Sequence, residues 1–580
     1  MTTTTIRAAA ILLALAAGMP ARAAPREDAA TRDAAPYAMG AGTEGRHWLP
    51  ERAHVDNPSL RYPVTIRDGV TLTARDGVTL DARLFLPTLK EGAKPTPCVL
   101  MSDGYGRTSN TGAETDPVLM NIASRGYAVM HLSLRGSGAS GGEATLYNDF
   151  GQDGADAVEW MAKQNWCDGD VGMVGPSLLG IAQWLTAKEA PPHLKAIVPQ
   201  VACGDCYGLL WYPGGMMPGP GREARKLSPG AGLEYPSAIA HRDLDDWWRA
   251  RTTLDADVKA IAARGVAAFV SGGLDDYITP GNIRAYEEFT APGGERKRLL
   301  LAPHAHGWQI DFLQELQVQW LDHWLKGVDN GVERAPRVIL YVKGVDRWRT
   351  EADWPIPDAK PSVLRLGTAK SGSVDSLNDG TLSAAASDGA PAILPYRPGA
   401  GPALPVLLSA TAGRSDADQR PSEAKVLTWT TAPLTVATEV TGYPHMALWA
   451  SSDTADGDMV FSLNDVAPDG TSTQVVQGYV NVPHARSETH PLPLVPGQAR
   501  EIDLDLLPTA MVFQPGHRIR LALAGAASAA PGLPAPQGPG PNPAAFTWTV
   551  LQDDAHPATL TLPIVGTAGD RLGQPGTAQP

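Results

Sequence analysis

The chain has 580 residues, of which 43% are hydrophobic and 19% charged, so it is a globular protein of several folding units and not a disordered chain. Its net charge of −14, without a long run of Lys or Arg, argues against a nucleic-acid partner, because a phosphate backbone requires clustered cations. The 60 glycines and 51 prolines indicate many turns and a large β content.

The first 23 residues have the pattern of a signal peptide. An apolar run from Ala8 to Gly18 follows Arg7, and Ala21-Arg22-Ala23 supplies a small-x-small cleavage site. The run is shorter than the ~20 residues that cross a bilayer, so we expect cleavage after Ala23. The sequence therefore predicts a secreted or periplasmic protein without membrane contact after cleavage. An uncleaved anchor and a fortuitous apolar start are the alternatives.

Four cysteines are present, and two of them have C-x-x-C spacing. In an exported protein Cys203 and Cys206 are expected to form a small-loop disulfide. Free thiols are the second interpretation, and a metal or redox site is the third, although no further ligands lie nearby in the sequence. Cys98 and Cys167 have apolar neighbours and are expected to be plain core residues.

Residues 24–58 lack periodicity and are predicted to be an N-terminal extension. An internal echo follows, because Arg-Asp-Gly-Val-Thr-Leu occurs at 67–72 and again at 75–80. Each Asp-Gly is a turn signal between strand-forming residues, so the echo predicts hairpins that open a sheet. Two copies of this length cannot form a solenoid.

Strand and helix patterns alternate from Cys98 to Gly327, which predicts an α/β fold with a mostly parallel sheet covered on both faces, in a domain that spans residues 59–330. An aromatic-rich interruption at about 203–254 predicts a cap over a pocket, with Trp211, Trp247 and Trp248 as pocket residues. A long surface loop is the alternative, but exposed Trp at this density would be a liability.

From 337 to 567 the pattern changes to short strands in which apolar residues alternate with polar or small ones. Ile519, Leu521 and Leu523 form one such set, and Leu560 and Leu562 belong to another. This alternation predicts a β-sandwich, and residues 568–580 are predicted to be a tail.

The strongest local signal for chemistry is Val174-Gly-Pro-Ser177-Leu-Leu-Gly180, in which a strand leads directly into a helix. A sharp turn at Ser177 would expose its hydroxyl and point backbone N–H groups at a developing oxyanion. Because Leu179 takes the second glycine position, the segment departs from G-x-S-x-G. An ordinary turn with a capping serine is the alternative.

Two further loops after strands complete the expected chain order of a Ser, Asp, His triad. Asp275 follows the strand at 267–270, and His306 follows the strand at 298–302. Asp276 and His304 are the alternatives to these two residues. A His304-x-His306 metal site would need a third ligand, which the sequence does not supply.

A glycine-rich segment, Gly136-x-Gly-x-x-Gly141, also follows a strand and matches a dinucleotide-binding pattern. That site requires a helix that opens at once and an acidic residue after the next strand. Since Glu143 to Phe150 is not helical in pattern, a nicotinamide cofactor is not expected.

Four segments resemble the α/β-hydrolase family of cocaine esterase, α-amino-acid ester hydrolases, glutaryl cephalosporin acylases and X-prolyl dipeptidyl-peptidases. Residues 166–180 match W-C-[DN]-G-x-V-G-x-x-G-x-S-Y-x-G, and 135–143 match R-G-x-G-x-S-x-G-E. Residues 272–275 resemble G-W-x-D, and 303–306 resemble P-W-x-H, which favours His306. The resemblance extends to about Val565 and implies an α/β-hydrolase sheet, an inserted cap and a C-terminal jelly-roll β-domain.

The family also implies an oxyanion site formed by Tyr105 and the backbone N–H of Leu178. Several positions depart from the family pattern: Leu178 replaces a Tyr, Gly273 and His304 replace Trp, and Ser133 replaces an Asp. These departures lie near the predicted site and indicate a reshaped pocket.

The resemblance and the triad together predict a serine hydrolase that cleaves a small ester or amide through an acyl-enzyme, without cofactor or metal. X-prolyl dipeptidyl-peptidase activity is the runner-up. A catalytically inactive carbohydrate-binding protein is the alternative from another class. The sequence does not determine the acyl group, the leaving group or the oligomeric state.

Overall fold

Ten strands form the first of two sheets in the computed structural model. The structure describes residues 62–107, 110–216, 229–290, 296–303, 305–306, 313–385, 389–397, 399–401, 418–526 and 546–566. The predicted signal peptide, N-terminal extension and C-terminal tail lie outside these ranges, as does His304. The strands are β1 (Val64–Thr73), β2 (Thr79–Pro87), β3 (Thr96–Asp103), β4 (Ala128–Ser133), β5 (Cys167–Pro176), β6 (Leu194–Gln200), β7 (Ala267–Gly273), β8 (Lys297–Ala302), β9 (Val338–Val342) and β10 (Arg347–Glu351).

The strand order in this sheet is β1-β2-β4-β3-β5-β6-β7-β8-β9-β10. From β4 to β9 every neighbouring pair is parallel, and β1, β2 and β10 add antiparallel edges. The central strands are almost continuously apolar and buried, as expected for a sheet covered on both faces. The predicted α/β architecture is therefore confirmed.

Helices follow most of these strands, and several more lie in the insertion between β6 and β7. The described helices are α1 (Asn110–Ser124), α2 (Phe150–Ala162), α3 (Leu178–Lys188), α4 (Pro229–Ala240), α5 (Asp246–Arg249), α6 (Asp255–Ala263), α7 (Pro280–Glu288), α8 (Leu313–Lys326) and α9 (Arg420–Glu423), with a π-helical turn at Tyr207–Trp211. Helix α8 buries Leu316 and Trp320 on one face, as its periodicity predicts. No helix in the described ranges is long and apolar enough to cross a membrane.

The two copies of the repeated Asp-Gly motif have different structures. The second copy forms a hairpin turn as predicted, and the prediction of a hairpin at the first copy is wrong. The second copy forms the turn between β1 and β2, where Gly77 has a φ of 89°. The first copy lies inside β1, where the register shifts between Arg67 and Val70 around Gly69, whose φ is 68°. A glycine with positive φ serves a β-bulge as well as a turn, and sequence alone does not separate the two.

The domain boundary at 330–337 stays a prediction, and two strands that follow it pair with the first sheet. β9 pairs in parallel with β8, and β10 pairs with β9, so residues 338–351 belong to the first sheet. The run Val338-Ile-Leu-Tyr-Val342 is apolar without alternation, which is typical of a strand buried in a parallel sheet. The second sheet begins at Ala359.

Thirteen strands form the second sheet, which makes the C-terminal region a β-rich domain. Its core includes Trp429 and Trp548, and the alternating residues Leu560 and Leu562 face that core. The finer jelly-roll assignment stays a prediction. The strands are β11 (Ala359–Gly367), β12 (Gly380–Ser383), β13 (Gly389–Pro395), β14 (Leu427–Thr430), β15 (Thr438–Gly442), β16 (His445–Ser452), β17 (Asp458–Val466), β18 (Ser472–Asn481), β19 (Arg500–Asp505), β20 (Thr509–Phe513), β21 (Arg518–Ala524), β22 (Thr547–Gln552) and β23 (Thr559–Val565).

All four cysteines form disulfides. Cys203 and Cys206 are joined across three positions of sequence, as predicted. The expectation that Cys98 and Cys167 are plain core residues is wrong, because they are joined as well. Their strands, β3 and β5, are neighbours, and the two Cα atoms lie 5.8 Å apart. The two cysteines are separated by 69 positions in the sequence, and no local pattern indicates their pairing.

Candidate active site

Ser177 lies between the end of β5 and the start of α3, at the carboxyl edge of the first sheet. Its backbone is strained, with a φ of 57° and a ψ of −125°. Its carbonyl accepts the N–H groups of Gly180 and Ile181, so the first turn of α3 begins directly after the serine. This is the strand-to-helix elbow that presents a nucleophile at the top of an α/β sheet.

Two glycines explain why the elbow tolerates Leu179 where the motif has glycine. A Cβ on Gly175, whose φ is 141°, would lie 2.7 Å from the Leu179 Cβ. A Cβ on Gly180 would lie 2.6 Å from the Ala202 Cβ, at the close contact of α3 with the end of β6. The requirement for a small residue has therefore moved one position along the helix, to Gly180.

His306 lies beyond β8 and contacts Ser177 directly. Its Nε2 is 2.9 Å from the Ser177 Oγ, and its Nδ1 is 3.1 Å from Oδ1 of Asp276, which lies beyond β7. The three side chains therefore come from the carboxyl ends of β5, β7 and β8, the edge where α/β sheets carry their sites. In this arrangement the carboxylate can orient the imidazole, and the imidazole can accept the serine proton.

The choice of Asp275 as the orienting carboxylate is wrong, and the alternative Asp276 takes its place. The Asp275 Oδ1 instead accepts a hydrogen bond of 2.6 Å from the Nζ of Lys343, which follows β9. The side chain of Asp276 is fully buried beside His306. The pattern G-W-x-D also fits the frame that begins one residue later, with Leu274 at the Trp position, and this shifted frame selects Asp276.

Sequence reasoning missed two neighbours of the triad. The Thr279 hydroxyl donates to Oδ2 of Asp276 at 2.8 Å, which fixes the carboxylate from the side away from His306. The Tyr277 ring lies 5.4 Å from the His306 ring, and burial raises the pKa of Tyr277 well above its ordinary value. Both residues lie within three positions after Asp276, so proximity to the acidic residue in the sequence was the available signal.

Tyr105 also contacts Ser177. Its hydroxyl is 3.4 Å from the Ser177 Oγ. Burial raises the pKa of Tyr105, although its contacts with Ser177 and with the Leu178 backbone N–H act in the other direction. The phenol is therefore neutral near pH 7 and can donate a hydrogen bond. The Leu178 N–H belongs to the first turn of α3, where backbone donors lack partners within the helix.

The loop that carries Tyr105 is fixed by Asp103, the last residue of β3. Asp103 Oδ1 accepts the backbone N–H of Tyr105 at 2.8 Å and that of Gly106 at 3.2 Å. Gly106 has a φ of 89°, and a Cβ there would lie 2.5 Å from the backbone nitrogen of Gly138. The glycine-rich segment therefore packs against the Tyr105 loop.

The structure also explains the dinucleotide-like glycine pattern. α2 begins at Phe150, well after Gly141, so no helix opens at the glycines as a pyrophosphate site requires. Arg135, at the start of the segment, instead donates hydrogen bonds to Asp153 from its Nε and from its Nη2, and the bond from Nη2 is 2.6 Å long. The segment is a structural support for the neighbouring loop.

The three cap tryptophans differ in their access to the site. Trp211 Nε1 donates to the Tyr147 hydroxyl at 3.3 Å, and the pocket role of Trp211 stays a prediction. The assignment of Trp248 to the pocket is wrong, because its side chain is fully buried among cap aromatic rings. Trp247 stacks on another cap ring, and its pocket role stays a prediction.

Among the residues that the structure describes, no group of three or more His, Cys, Asp or Glu side chains is arranged to hold a metal ion. His304, the alternative histidine and metal-ligand candidate, lies outside the described ranges.

Two family profiles match the chain. X-Pro dipeptidyl-peptidase (S15 family) matches residues 76–228, and the X-Pro dipeptidyl-peptidase C-terminal non-catalytic domain matches residues 330–561. Cocaine esterase from Rhodococcus sp. (strain MB1 Bresler) is 28% identical over 528 residues, which cover 79% of this chain and 88% of the esterase. Xaa-Pro dipeptidyl-peptidase from Lacticaseibacillus rhamnosus is 24% identical over 520 residues, which cover 73% of this chain and 62% of the peptidase.

Solved structures show the same architecture. A CocE/NonD family hydrolase from Staphylococcus aureus is 19% identical, with a TM-score of 0.70 over 87% of this chain and 94% of that one. A selenomethionine-labelled α-amino acid ester hydrolase is 22% identical, with a TM-score of 0.69 over 87% of this chain and 97% of that one. At these identities the likeness concerns the fold, an α/β sheet followed by a β-rich domain.

Proposed function

Because the chain belongs to the cocaine esterase and X-Pro dipeptidyl-peptidase family of serine hydrolases, we propose that it hydrolyses small carboxylic esters through an acyl-enzyme. The observation that carries this proposal is the position of His306, between the Ser177 Oγ at 2.9 Å and the Asp276 Oδ1 at 3.1 Å. A serine hydroxyl is a weak nucleophile until a base accepts its proton, and this geometry supplies the base and its orienting carboxylate.

In the first half-reaction the Ser177 oxygen attacks the ester carbonyl while its proton passes to His306 Nε2. The carbonyl oxygen becomes an oxyanion, which Tyr105 and the Leu178 N–H stabilise as donors already in place. The imidazolium then gives its proton to the departing alkoxide oxygen. The alcohol leaves, and the acyl group stays on Ser177 as an ester.

In the second half-reaction water takes the position of the alcohol. His306 removes a proton from the water, which attacks the acyl carbonyl and forms a second oxyanion at the same donors. When this intermediate collapses, His306 returns the proton to the Ser177 oxygen. The carboxylic acid is released and the free serine is restored.

Esters are our first choice of substrate, and X-prolyl peptides are the second. The ester proposal is supported by the cocaine esterase, which matches 79% of this chain and 88% of its own length. A dipeptidyl-peptidase must also bind the free ammonium group of its substrate, for which a carboxylate is the usual partner. Near the triad, Asp276 faces His306 and Asp275 is paired with Lys343, so neither carboxylate is unpartnered. The peptidase profiles keep the second activity as a candidate.

A substrate panel separates the candidates. Purified protein is assayed with p-nitrophenyl esters of increasing acyl length and with X-prolyl p-nitroanilides, beside the Ser177→Ala variant. We expect ester hydrolysis that Ser177→Ala abolishes and anilide hydrolysis at least tenfold slower in kcat/KM. Faster anilide cleavage would favour the peptidase. Absence of both activities, together with no fluorophosphonate adduct, would favour the inactive carbohydrate-binding alternative with a jelly-roll β-domain.

We propose in addition that the protein acts outside the cytoplasm, in the periplasm or the medium. The signal-peptide pattern at 1–23 supports export, and so do the two disulfides, since disulfides persist in oxidising compartments. Intact mass of the exported protein should correspond to a chain that begins at Ala24 and carries no free thiol. A chain that keeps residues 1–23 in the cytoplasmic fraction would contradict the proposal.

A further inference from the structure

His131 is a fully buried histidine on β4 that lies behind the Tyr105 loop. Its Nε2 is 3.1 Å from Oδ2 of Asp103, and its Nδ1 is 3.3 Å from Oδ1 of Asp116 on α1. A neutral imidazole has one donor and one acceptor nitrogen, so it cannot donate to two carboxylates. With both carboxylates ionised, the geometry fits a doubly protonated ring that donates to both.

The charges around the ring agree with this protonation. Asp103 and Asp116 face its two nitrogens, and Arg83 on β2, which is opposite His131 in register, contacts the far side of Asp116. Burial lowers the pKa of His131, but hydrogen bonds to Asp103 and Asp116 outweigh it and hold the pKa above its ordinary value. The ring therefore keeps its second proton to a higher pH than a free imidazole does, and loses it as the pH rises through this raised pKa.

Asp103 connects this buried histidine to the candidate active site. One of its carboxylate oxygens faces His131, and the other accepts the backbone N–H groups of Tyr105 and Gly106. A carboxylate that is fixed on one side by an imidazolium can hold the loop in one position on its other side. The Tyr105 hydroxyl is then kept 3.4 Å from the Ser177 Oγ.

We propose that His131 is a positioning residue, which acts through Asp103 to hold the Tyr105 hydroxyl at the oxyanion site. It makes no contact with the reacting atoms. The inference rests on the proposed function, in which Tyr105 donates to the oxyanion.

The test is a double-mutant cycle on the full chain with a p-nitrophenyl ester as substrate. His131→Asn keeps a donor but removes the charge, and we expect kcat to fall about 10- to 30-fold while KM stays within about twofold. In a Tyr105→Phe background the same substitution should lower kcat by less than about twofold, because no hydroxyl remains to be placed. His193→Asn, which removes a surface histidine 2.9 Å from Glu159, is the control and should leave kcat unchanged.

Equal losses in the two backgrounds would overturn the inference, since a merely structural role would act without Tyr105. An unchanged kcat in His131→Asn would overturn it as well. If Ser177→Ala remained active, the proposed function would fail; a dead Ser177→Ala beside a normal His131→Asn would reject the inference alone.

If His131→Asn does not fold, Asp116→Asn keeps the test decisive. This variant leaves the ring and Asp103 in place but removes one of the two charges that retain the proton. We expect the alkaline loss of kcat to begin about one pH unit earlier than in the unmodified protein, and no such shift in the Tyr105→Phe background. An identical pH profile in Asp116→Asn would contradict the inference.

Discussion

Two histidines, His306 and His131, pair with aspartates in the first-sheet region, and their surroundings differ. His306 has a partly exposed side chain, with one nitrogen on Asp276 and the other on the serine hydroxyl. His131 is fully buried, and both of its nitrogens face carboxylates. The first arrangement leaves one nitrogen free to exchange a proton with the nucleophile.

The second arrangement can hold a proton but has no group to pass it to. The difference shows that a His–Asp pair does not identify a catalytic base by itself. The group that faces the second imidazole nitrogen distinguishes a base beside a nucleophile from a histidine with a structural role. On the His306 side the carboxylate serves proton transfer. On the His131 side the carboxylate serves the geometry of a loop. The experiments below test this division of roles.

The largest effect is expected on the proton-transfer side. Ser177→Ala removes the nucleophile without opening a buried cavity, so kcat should fall by about 10⁴- to 10⁶-fold with the folded state intact. Steady-state kinetics measure kcat, and circular dichroism measures whether the folded state is intact. His306→Ala should be nearly as severe. Activity within tenfold of the unmodified protein would exclude Ser177 as the nucleophile.

The adjacent aspartates form a matched pair. Asp276→Asn should reduce kcat by about 10³- to 10⁴-fold, because the amide no longer fixes the tautomer of His306. Asp275→Asn should keep kcat within about tenfold but destabilise the fold, by about 3 kcal/mol, because it leaves the buried Lys343 without its charged partner. Kinetics and urea unfolding separate the two effects. The reverse order of kcat losses would restore Asp275 to the triad.

On the oxyanion side, Tyr105→Phe keeps the ring and removes only the donor. We expect kcat to fall by about 10²- to 10³-fold with little change in KM, and the free energy of unfolding to stay within about 1 kcal/mol. Stopped assays and chemical denaturation measure these quantities. A normal kcat would place the second donor elsewhere.

The smallest effect is expected behind Asp276. Thr279→Val removes the hydroxyl that lies 2.8 Å from Oδ2 of Asp276 and should lower kcat by about 3- to 10-fold at constant KM. Thr279→Ser keeps the hydroxyl and should restore most of the activity. If Thr279→Val and Thr279→Ser have the same kcat, the Thr279 hydroxyl does not support the Asp276 carboxylate.

The sequence was sufficient to predict site residues where a chemically reactive side chain directly follows a recognisable strand. Ser177 and His306 each follow an apolar strand, and the structure brings them together. Asp275 was misassigned because two adjacent aspartates fit the same motif in two frames, and only the position of His306 distinguishes them. The pairing of Cys98 with Cys167 depends on β3 and β5 being neighbours, which is a property of the whole sheet.

His131 shows the limit of sequence reasoning from the other direction. It lies within the apolar strand Ala128–Ser133, and its partners Asp103 and Asp116 come from a different strand and a helix. No spacing rule connects the three residues. Their meeting point becomes visible only once β3, β4 and α1 are packed.

The central claim is that His306 activates Ser177 and that Asp276 orients His306. Labelling with a fluorophosphonate, followed by peptide mapping, tests it most directly, because the probe reacts only with an activated serine. We predict one adduct on the peptide that contains Ser177, labelling slowed at least about 100-fold in Asp276→Asn, and labelling within about tenfold of normal in Asp275→Asn. No adduct, an adduct on another serine, or equal rates in the two asparagine variants would contradict the account.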